Sequence, residues 1–176
     1  MKIIKVNEGK RLEEIRNLYK KAFPVCEQKP FCLLLEKQEC GCVDILALEE
    51  NTEFAGLAIM AKDEDRILLD YLAVAENKRG YGIGSKALAA LAEHYDGKRM
   101  IIEIESTKTD ASDHDMRVRR KEFYHRNGMT DLPFDVDCFG TEMETLSNGT
   151  PFTFDEYWSI YKNVFGSKIS DRIRLV

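Results

Sequence analysis

Residues 72–88 hold the chain's densest set of groups suited to an anion. An apolar run, Ile67 to Ala75, reads as a strand. A basic, glycine-laden turn, Lys78 to Gly84, follows it, and a helical pattern then begins. A helix start exposes unpaired backbone N–H groups and the positive end of the helix dipole. Glycines there let a ligand come close to the main chain, so a phosphate-like group fits. Arg79 adds a charged hydrogen-bonding fork at the rim. Three glycines in five residues carry an entropic cost that a plain turn would not need. The spacing excludes two common phosphate sites. Ser85 and Lys86 stand in the reverse of the P-loop order, and Gly80-x-Gly82-x-Gly84 is not the dinucleotide fingerprint.

What the segment Arg79-Gly80-Tyr81-Gly82-Ile83-Gly84 resembles is the acetyl-CoA-binding signature of the GNAT superfamily of N-acetyltransferases, Arg/Gln-x-x-Gly-x-Gly/Ala. Val74 closes the preceding strand five positions before the Arg. A second segment, Phe123-Tyr124-His125-Arg126-Asn127-Gly128-Met129, is similar to that family's Phe-Tyr-x-x-x-Gly-Phe, with Met129 in the final aromatic place. The resemblance implies an acyltransferase that carries an acetyl group from acetyl-CoA to a primary amine of a small molecule or peptide. Attack would be direct, in a ternary complex, with no cysteine acyl-enzyme. It implies that Arg79, Gly80, Tyr81, Gly82, Ile83, Gly84 and Ser85 hold the diphosphate. The pantetheine arm would lie along the main chain of Leu72, Ala73 and Val74 as an added strand would. Tyr124 would assist the departing thiolate as general acid. The family's common Asn seven residues before that Tyr is here Arg117, a departure at a coenzyme contact.

An amine acceptor also needs a base. With a pKa of ~10.4, only about one lysine-like amine in 2,500 is neutral at pH 7, a cost of roughly 4.6 kcal/mol. In the run Met100 to Glu105, Ile102 and Ile104 alternate with Glu103 and Glu105, so both glutamates leave the apolar side. Ile102-Glu103-Ile104 resembles the Leu-Glu-Val segment in which some family members carry a catalytic Glu. Glu103 is therefore the leading base and Asp70 the second. A competing reading pairs Glu103 and Glu105 with the arginines at 117, 119 and 120. The rival function is a catalytically weak acyl-CoA-binding or regulatory module with the same fold; a nucleotide-phosphate binder is a third, disfavoured by the failed P-loop spacing.

Which elements must position these residues follows from periodicity. After a first strand, Gly9 to Phe23 is helical, Pro24 to Pro30 a loop, and Phe31 to Lys37 a short helix. Val43 to Glu49, Phe54 to Ala61 and Ile67 to Ala75 read as strands joined by tight turns, hence an antiparallel meander. The helix from Gly82–Ser85 runs to Asp96-Gly97 with Leu88, Leu91 and Tyr95 on one stripe. Met100 to Glu105 is a strand, and Ser112 or Asp113 caps a helix that ends at Asn127-Gly128. Met129 to Asp131 and Cys138 to Leu146 supply the last strands, and Phe154 to Phe165 a final helix. The βααβββαβαβ order agrees with a GNAT fold: α/β, a mixed, mostly antiparallel central sheet flanked by helices, with a C-terminal helical extension. The expected organisation is one domain over residues 1–176, with a core at 1–146 and the extension at 147–176.

Composition excludes other classes. The chain has 176 residues, 44% hydrophobic and 32% charged, and a formal net charge of −5, which argues against broad nucleic-acid binding and favours cationic substrates. Nothing approaches the ~18 apolar residues of a membrane span, and the start reads as a strand rather than a signal peptide, so a cytoplasmic setting is expected. Five cysteines, an odd number, are expected to be reduced thiols. Cys40-Gly41-Cys42 is too close for the usual zinc pair, and no metal is expected. A homodimer is compatible with the reading, and the acceptor pocket falls to the Pro24–Pro30 loop and the tail after Asn148.

Overall fold

Two adjacent left-handed residues, Asn51 (φ 52°) and Thr52 (φ 67°), make a two-residue reversal between Glu50 and Glu53. That geometry matches the right-handed twist of strands, so the flanking segments pair as a hairpin. The computed structural model describes all residues, 1–176. In chain order the elements are β1 (Lys2–Lys5), α1 (Gly9–Ala22), α2 (Phe31–Glu39), β2 (Val43–Glu50), β3 (Glu53–Asp63), β4 (Arg66–Val74) and α3 (Ile83–His94). There follow β5 (Arg99–Glu105), α4 (His114–Arg126), β6 (Thr130–Cys138), β7 (Thr141–Ser147), α5 (Phe154–Phe165), α6 (Ser167–Ser170) and β8 (Ile173–Leu175). The class is mixed α/β with mostly antiparallel strand pairing, as the motifs imply.

The chain divides into two compact units, Met1–Lys62 with Leu69–Gly97, and Asp63–Leu68 with Lys98–Val176. Strand β4 contributes to both. In the first unit the strand order is β1-β2-β3-β4, with β1 and β3 antiparallel to β2. Val43 to Leu48 is buried without alternation, because β2 is an inner strand covered on both faces. Within that run Asp44 stays charged: Lys5 Nζ (2.6 Å), Lys62 Nζ (2.9 Å) and the Tyr95 hydroxyl (2.7 Å) converge on its carboxylate. Burial acts to raise the Asp44 pKa, but these three hydrogen bonds outweigh it and hold the group below its usual range. Tyr95 thus sits just past α3 as a polar anchor as well as an apolar one.

In the second unit the order is β4-β5-β7-β6-β8. Here the observed elements depart from the sequence reading. Residues 132–137 are strand rather than loop, so β6 runs unbroken from Thr130 to Cys138. Pro133 hid this, since it lacks an N–H; it falls where the register with β7 shifts, between Asp131 and Asp135, and therefore breaks no ladder bond. The turn is instead at Phe139–Gly140 (φ 59° and 91°). Asp113 is the residue before α4, but its side chain does not cap the helix; it accepts from Arg117 Nε at 2.9 Å. The tail adds α6 and β8, neither of them expected, and β8 pairs with Val136–Cys138. A short 3-10 turn, Val25–Glu27, occupies the Pro24–Pro30 loop.

One glycine inside a strand has a steric cause. A Cβ on Gly56 in β3 would lie 2.3 Å from the carbonyl oxygen of Ala73 in β4. No real contact is that short, so β4 can hold its position only while residue 56 lacks a side chain. Gly56→Ala is expected to reduce unfolding free energy by about 2 kcal/mol. Urea denaturation followed by circular dichroism checks this; an unchanged midpoint would mean that β4 gives way freely.

Candidate functional site

In the first unit the chain leaves β4, makes a 3-10 turn at Glu76–Lys78, and enters α3 through two glycines in the left-handed region. Gly80 has φ 85° and Gly82, the residue before the helix, φ 71°. No side chain caps the start of α3. The first amides of a helix have no partner within it, so an uncapped, positively polarised nest remains. A Cβ at Gly80 or Gly82 would meet nothing within 4 Å, so conformation, not crowding, demands glycine here. Arg79 is exposed and donates Nε to the Val74 carbonyl at 3.3 Å, which ties the turn to the end of β4. The neighbouring cations are committed elsewhere: Lys78 pairs with Glu53 and Lys86 with Glu50. Arg79 alone among these three has no carboxylate partner, and it stands beside the nest.

Further back on β4, Asp70 accepts from Lys29 Nζ at 2.7 Å, with both side chains about 5% exposed. Its second oxygen is buried without a partner. Desolvation raises the Asp70 pKa above the ordinary carboxylate value, and Lys29 offsets this only in part. The Lys29 backbone is pinned as well. Its N–H donates to the Tyr71 hydroxyl (3.1 Å), which donates to the Glu27 carbonyl (2.7 Å), and Tyr19 donates to the Lys29 carbonyl (3.1 Å). Sequence reasoning missed Lys29, because a lysine between Gln28 and Pro30 in a loop carries no periodic signal of burial.

The second unit contains Glu103 and Tyr124. Tyr124 sits in the last turn of α4, where the amides of Asn127 and Met129 close the helix onto its carbonyl at 3.0 and 3.1 Å. Its ring is buried, and burial pushes the phenol up to about 12 despite a small opposing effect of Arg120. Glu103 on β5 accepts from the Tyr161 hydroxyl of α5 at 2.6 Å. The expected competition from arginines falls on the other glutamate: Glu105 pairs with Arg120 (2.5 Å) and Arg117 (3.3 Å). Arg117 also donates to Asp113 (2.9 Å) and the Ser106 carbonyl (3.2 Å). The residue that departs from the family pattern is therefore a clamp holding the β5–α4 connection to the helix. No group of three or more His, Cys, Asp or Glu side chains is arranged to hold a metal, and all five cysteines are free.

The sequence model of the acetyltransferase (GNAT) family matches residues 12–129. The chain belongs to that family. Acyl transfer is the activity that GNAT membership carries, and both matched motifs lie within those residues. No curated protein matches the sequence. Solved structures agree on the GNAT fold. A GNAT-family protein from Bacteroides thetaiotaomicron has a TM-score of 0.79 at 17% identity, covering 95% of this chain and 99% of its own. An acetyltransferase of Bacillus subtilis in complex with CoA has a TM-score of 0.61 at 16% identity, with coverage of 83% and 96%. A ribosomal-protein-alanine N-acetyltransferase of Brucella melitensis has a TM-score of 0.60 at 18% identity, with coverage of 84% and 98%. The 95% coverage extends the likeness into the tail, beyond the core expected at 1–146.

The connection that delivers α4, and with it Tyr124, depends on a buried carboxylate. Glu144 on β7 accepts from the Thr107 amide (2.6 Å) and hydroxyl (2.5 Å) and pairs with Lys121 of α4. Burial raises the Glu144 pKa, but Lys121 and Thr107 outweigh that and hold it below the usual value. A carboxylate whose folded pKa is depressed stabilises the fold above its unfolded pKa of ~4.3, and that gain is lost as pH falls through the folded value. Glu144→Gln is thus expected to lose about 2 kcal/mol at pH 7 and progressively less in acid. Urea midpoints of both proteins from pH 7 down to pH 3 test the convergence.

Proposed function

We propose that this chain is an N-acetyltransferase that moves the acetyl group of acetyl-CoA to a primary amine on a small molecule or peptide. The observation carrying the proposal is the uncapped start of α3, entered through left-handed Gly80 and Gly82 beside Arg79, which has no carboxylate partner. A diphosphate supplies what that geometry lacks: acceptors for several amides, a charge for the dipole, and a partner for the guanidinium. The amides of Gly80 to Ser85 would hold it. The main chain of Leu72, Ala73 and Val74 would hold the pantetheine arm by strand-like hydrogen bonds. The solved Bacillus subtilis relative in complex with CoA supports the choice of ligand.

The amine attacks the thioester carbonyl, a C–N bond forms, the C–S bond breaks, and the ammonium proton must leave. Glu103 would take that proton through water; Asp70 is the second candidate. Asp70 is the weaker because its carboxylate is already engaged by Lys29 and enclosed. The thiolate leaves with a pKa of ~8.5, whereas Tyr124 at about 12 holds its own proton more tightly. Full transfer from Tyr124 would be uphill by about 3.5 units, so its contribution is a hydrogen bond to the departing sulfur. The net negative charge favours a cationic acceptor, and the Brucella melitensis relative acts on a protein alanine.

Calorimetric titration with coenzyme A tests the binding half. Arg79→Ala is expected to weaken binding about ten- to a hundredfold, the worth of one charge-assisted pair, with the fold unchanged. No heat of association with the folded wild-type chain would end the proposal. The catalytic half is tested by thiol release from acetyl-CoA with spermidine, kanamycin and an alanyl peptide as acceptors. Tyr124→Phe is expected to lower kcat about ten- to a hundredfold while the coenzyme A affinity stays within twofold. Equal loss of both would mean that Tyr124 serves packing alone.

A further inference from the structure

We infer that Tyr161 is a positioning residue for Glu103, holding that carboxylate ionised and in one orientation so that it can accept the amine proton. The inference rests on the proposed role of Glu103 as base and adds a residue of α5, which lies beyond the stretch matched by the family. Four observations carry it.

The Tyr161 hydroxyl donates to Glu103 Oε1 at 2.6 Å, a short charge-assisted bond between elements 58 residues apart in sequence. Tyr161 is 1% exposed, so water does not compete for that proton. Its ring is fixed on both sides, by Tyr157 (centroids 5.5 Å apart) and Phe165 (5.8 Å), so the hydroxyl has little freedom to point elsewhere. The helix carrying it is itself set by a capping box, in which Thr153 and Glu156 satisfy each other's backbone amides. An apolar core does not need a tyrosine at position 161; phenylalanine would fill the same volume. The hydroxyl adds a hydrogen bond to the carboxylate that phenylalanine could not make.

The surroundings of Glu103 favour this assignment. Tyr157, also from α5, is fully buried beside Glu103 and Tyr161, and its hydroxyl interacts with both, though less well directed than the Tyr161 hydroxyl. Cys138 of β6 adds a further titratable group close to Tyr157. Directly across the ladder on β7, Thr145 faces Glu103 in register but turns its hydroxyl to the Phe134 carbonyl at 2.5 Å. Two residues along β5 from Glu103, Glu105 takes Arg117 and Arg120 of α4. Of the two α5 hydroxyls beside Glu103, that of Tyr161 makes the short, well-directed bond. A hydrogen bond to the ionised form lowers a carboxylate's pKa, so removing it moves the titration upward.

Carbon-detected NMR titration of the full chain, labelled at glutamate carboxyls and assigned with Glu103→Gln, reads this without an acceptor substrate. In Tyr161→Phe the Glu103 midpoint is expected to rise by about one unit. The acidic limb of kcat/KM, measured by thiol release from acetyl-CoA with the best of the three amines named above, should rise with it. Tyr157→Phe removes a buried hydroxyl that also interacts with Glu103 but is less well directed, and should move both by less than Tyr161→Phe does. A Glu103 midpoint unmoved by Tyr161→Phe, with circular dichroism showing the variant folded, overturns the inference. If Glu103→Gln leaves rate and limb unchanged while the NMR shift is present, the base role falls and the Tyr161 contact is structural. If Glu103→Gln abolishes the limb and Tyr161→Phe does not displace it, the positioning role alone fails.

Discussion

A helix that begins without a side chain to satisfy its first amides is incomplete in water and more so near other protein. The start of α3 is such a helix, and its approach through Gly80 and Gly82 keeps the space above those amides clear. A serine or aspartate before Ile83 would supply the usual cap and fill the nest with the protein's own oxygen. The glycine at 82 does the reverse: it adopts the left-handed geometry at little strain and leaves the amides for an external acceptor. The ion pairs of Lys78 with Glu53 and Lys86 with Glu50 fit the same logic. They anchor the segment to the β2–β3 hairpin while leaving the guanidinium beside the nest uncommitted.

The site candidates also show how the fold handles buried charge. Asp44 and Glu144 each meet several donors and are held ionised against the pull of burial. Asp70 has one cationic partner and an unpaired oxygen, and there burial prevails. Donors and depth together decide the sign: each hydrogen bond to the charged form offsets part of the desolvation penalty, and Asp70 combines the deepest burial of the three with a single donor. Asp70 is therefore poised nearer to proton exchange than a surface aspartate. Its enclosure by the tyrosine-pinned Pro24–Pro30 loop limits what can reach it.

What could be read from the chain alone follows the range of the interactions. The strand–glycine turn–helix unit, the β2–β3 reversal and the α4 terminus at Asn127-Gly128 depend on neighbours in sequence, and all were legible to within a residue or two. The reading failed where a distant partner decides. Residues 132–137 fell between the two expected last strands, and β6 crosses them because its register with β7 shifts there, between Asp131 and Asp135. Asp113 looked like a cap, but Arg117 one turn later competes for its carboxylate. Lys29 looked like loop surface, and only Asp70 and two tyrosines make it core. The same holds for Glu103: alternation put it with Glu105, and the difference between them comes from α5.

That difference carries a consequence for how the family pattern is used. Two glutamates two residues apart on one strand have the same local sequence logic, yet Glu105 is neutralised by two arginines while Glu103 receives a neutral phenol. The Glu105 carboxylate is thereby occupied by two cations, whereas the Glu103 carboxylate is oriented by an uncharged donor. Arg117, the substitution in the coenzyme-contact position, is one of the cations drawn to Glu105. The charge that Arg117 adds is absorbed one step along the strand, by Glu105, and by Asp113 at the start of α4.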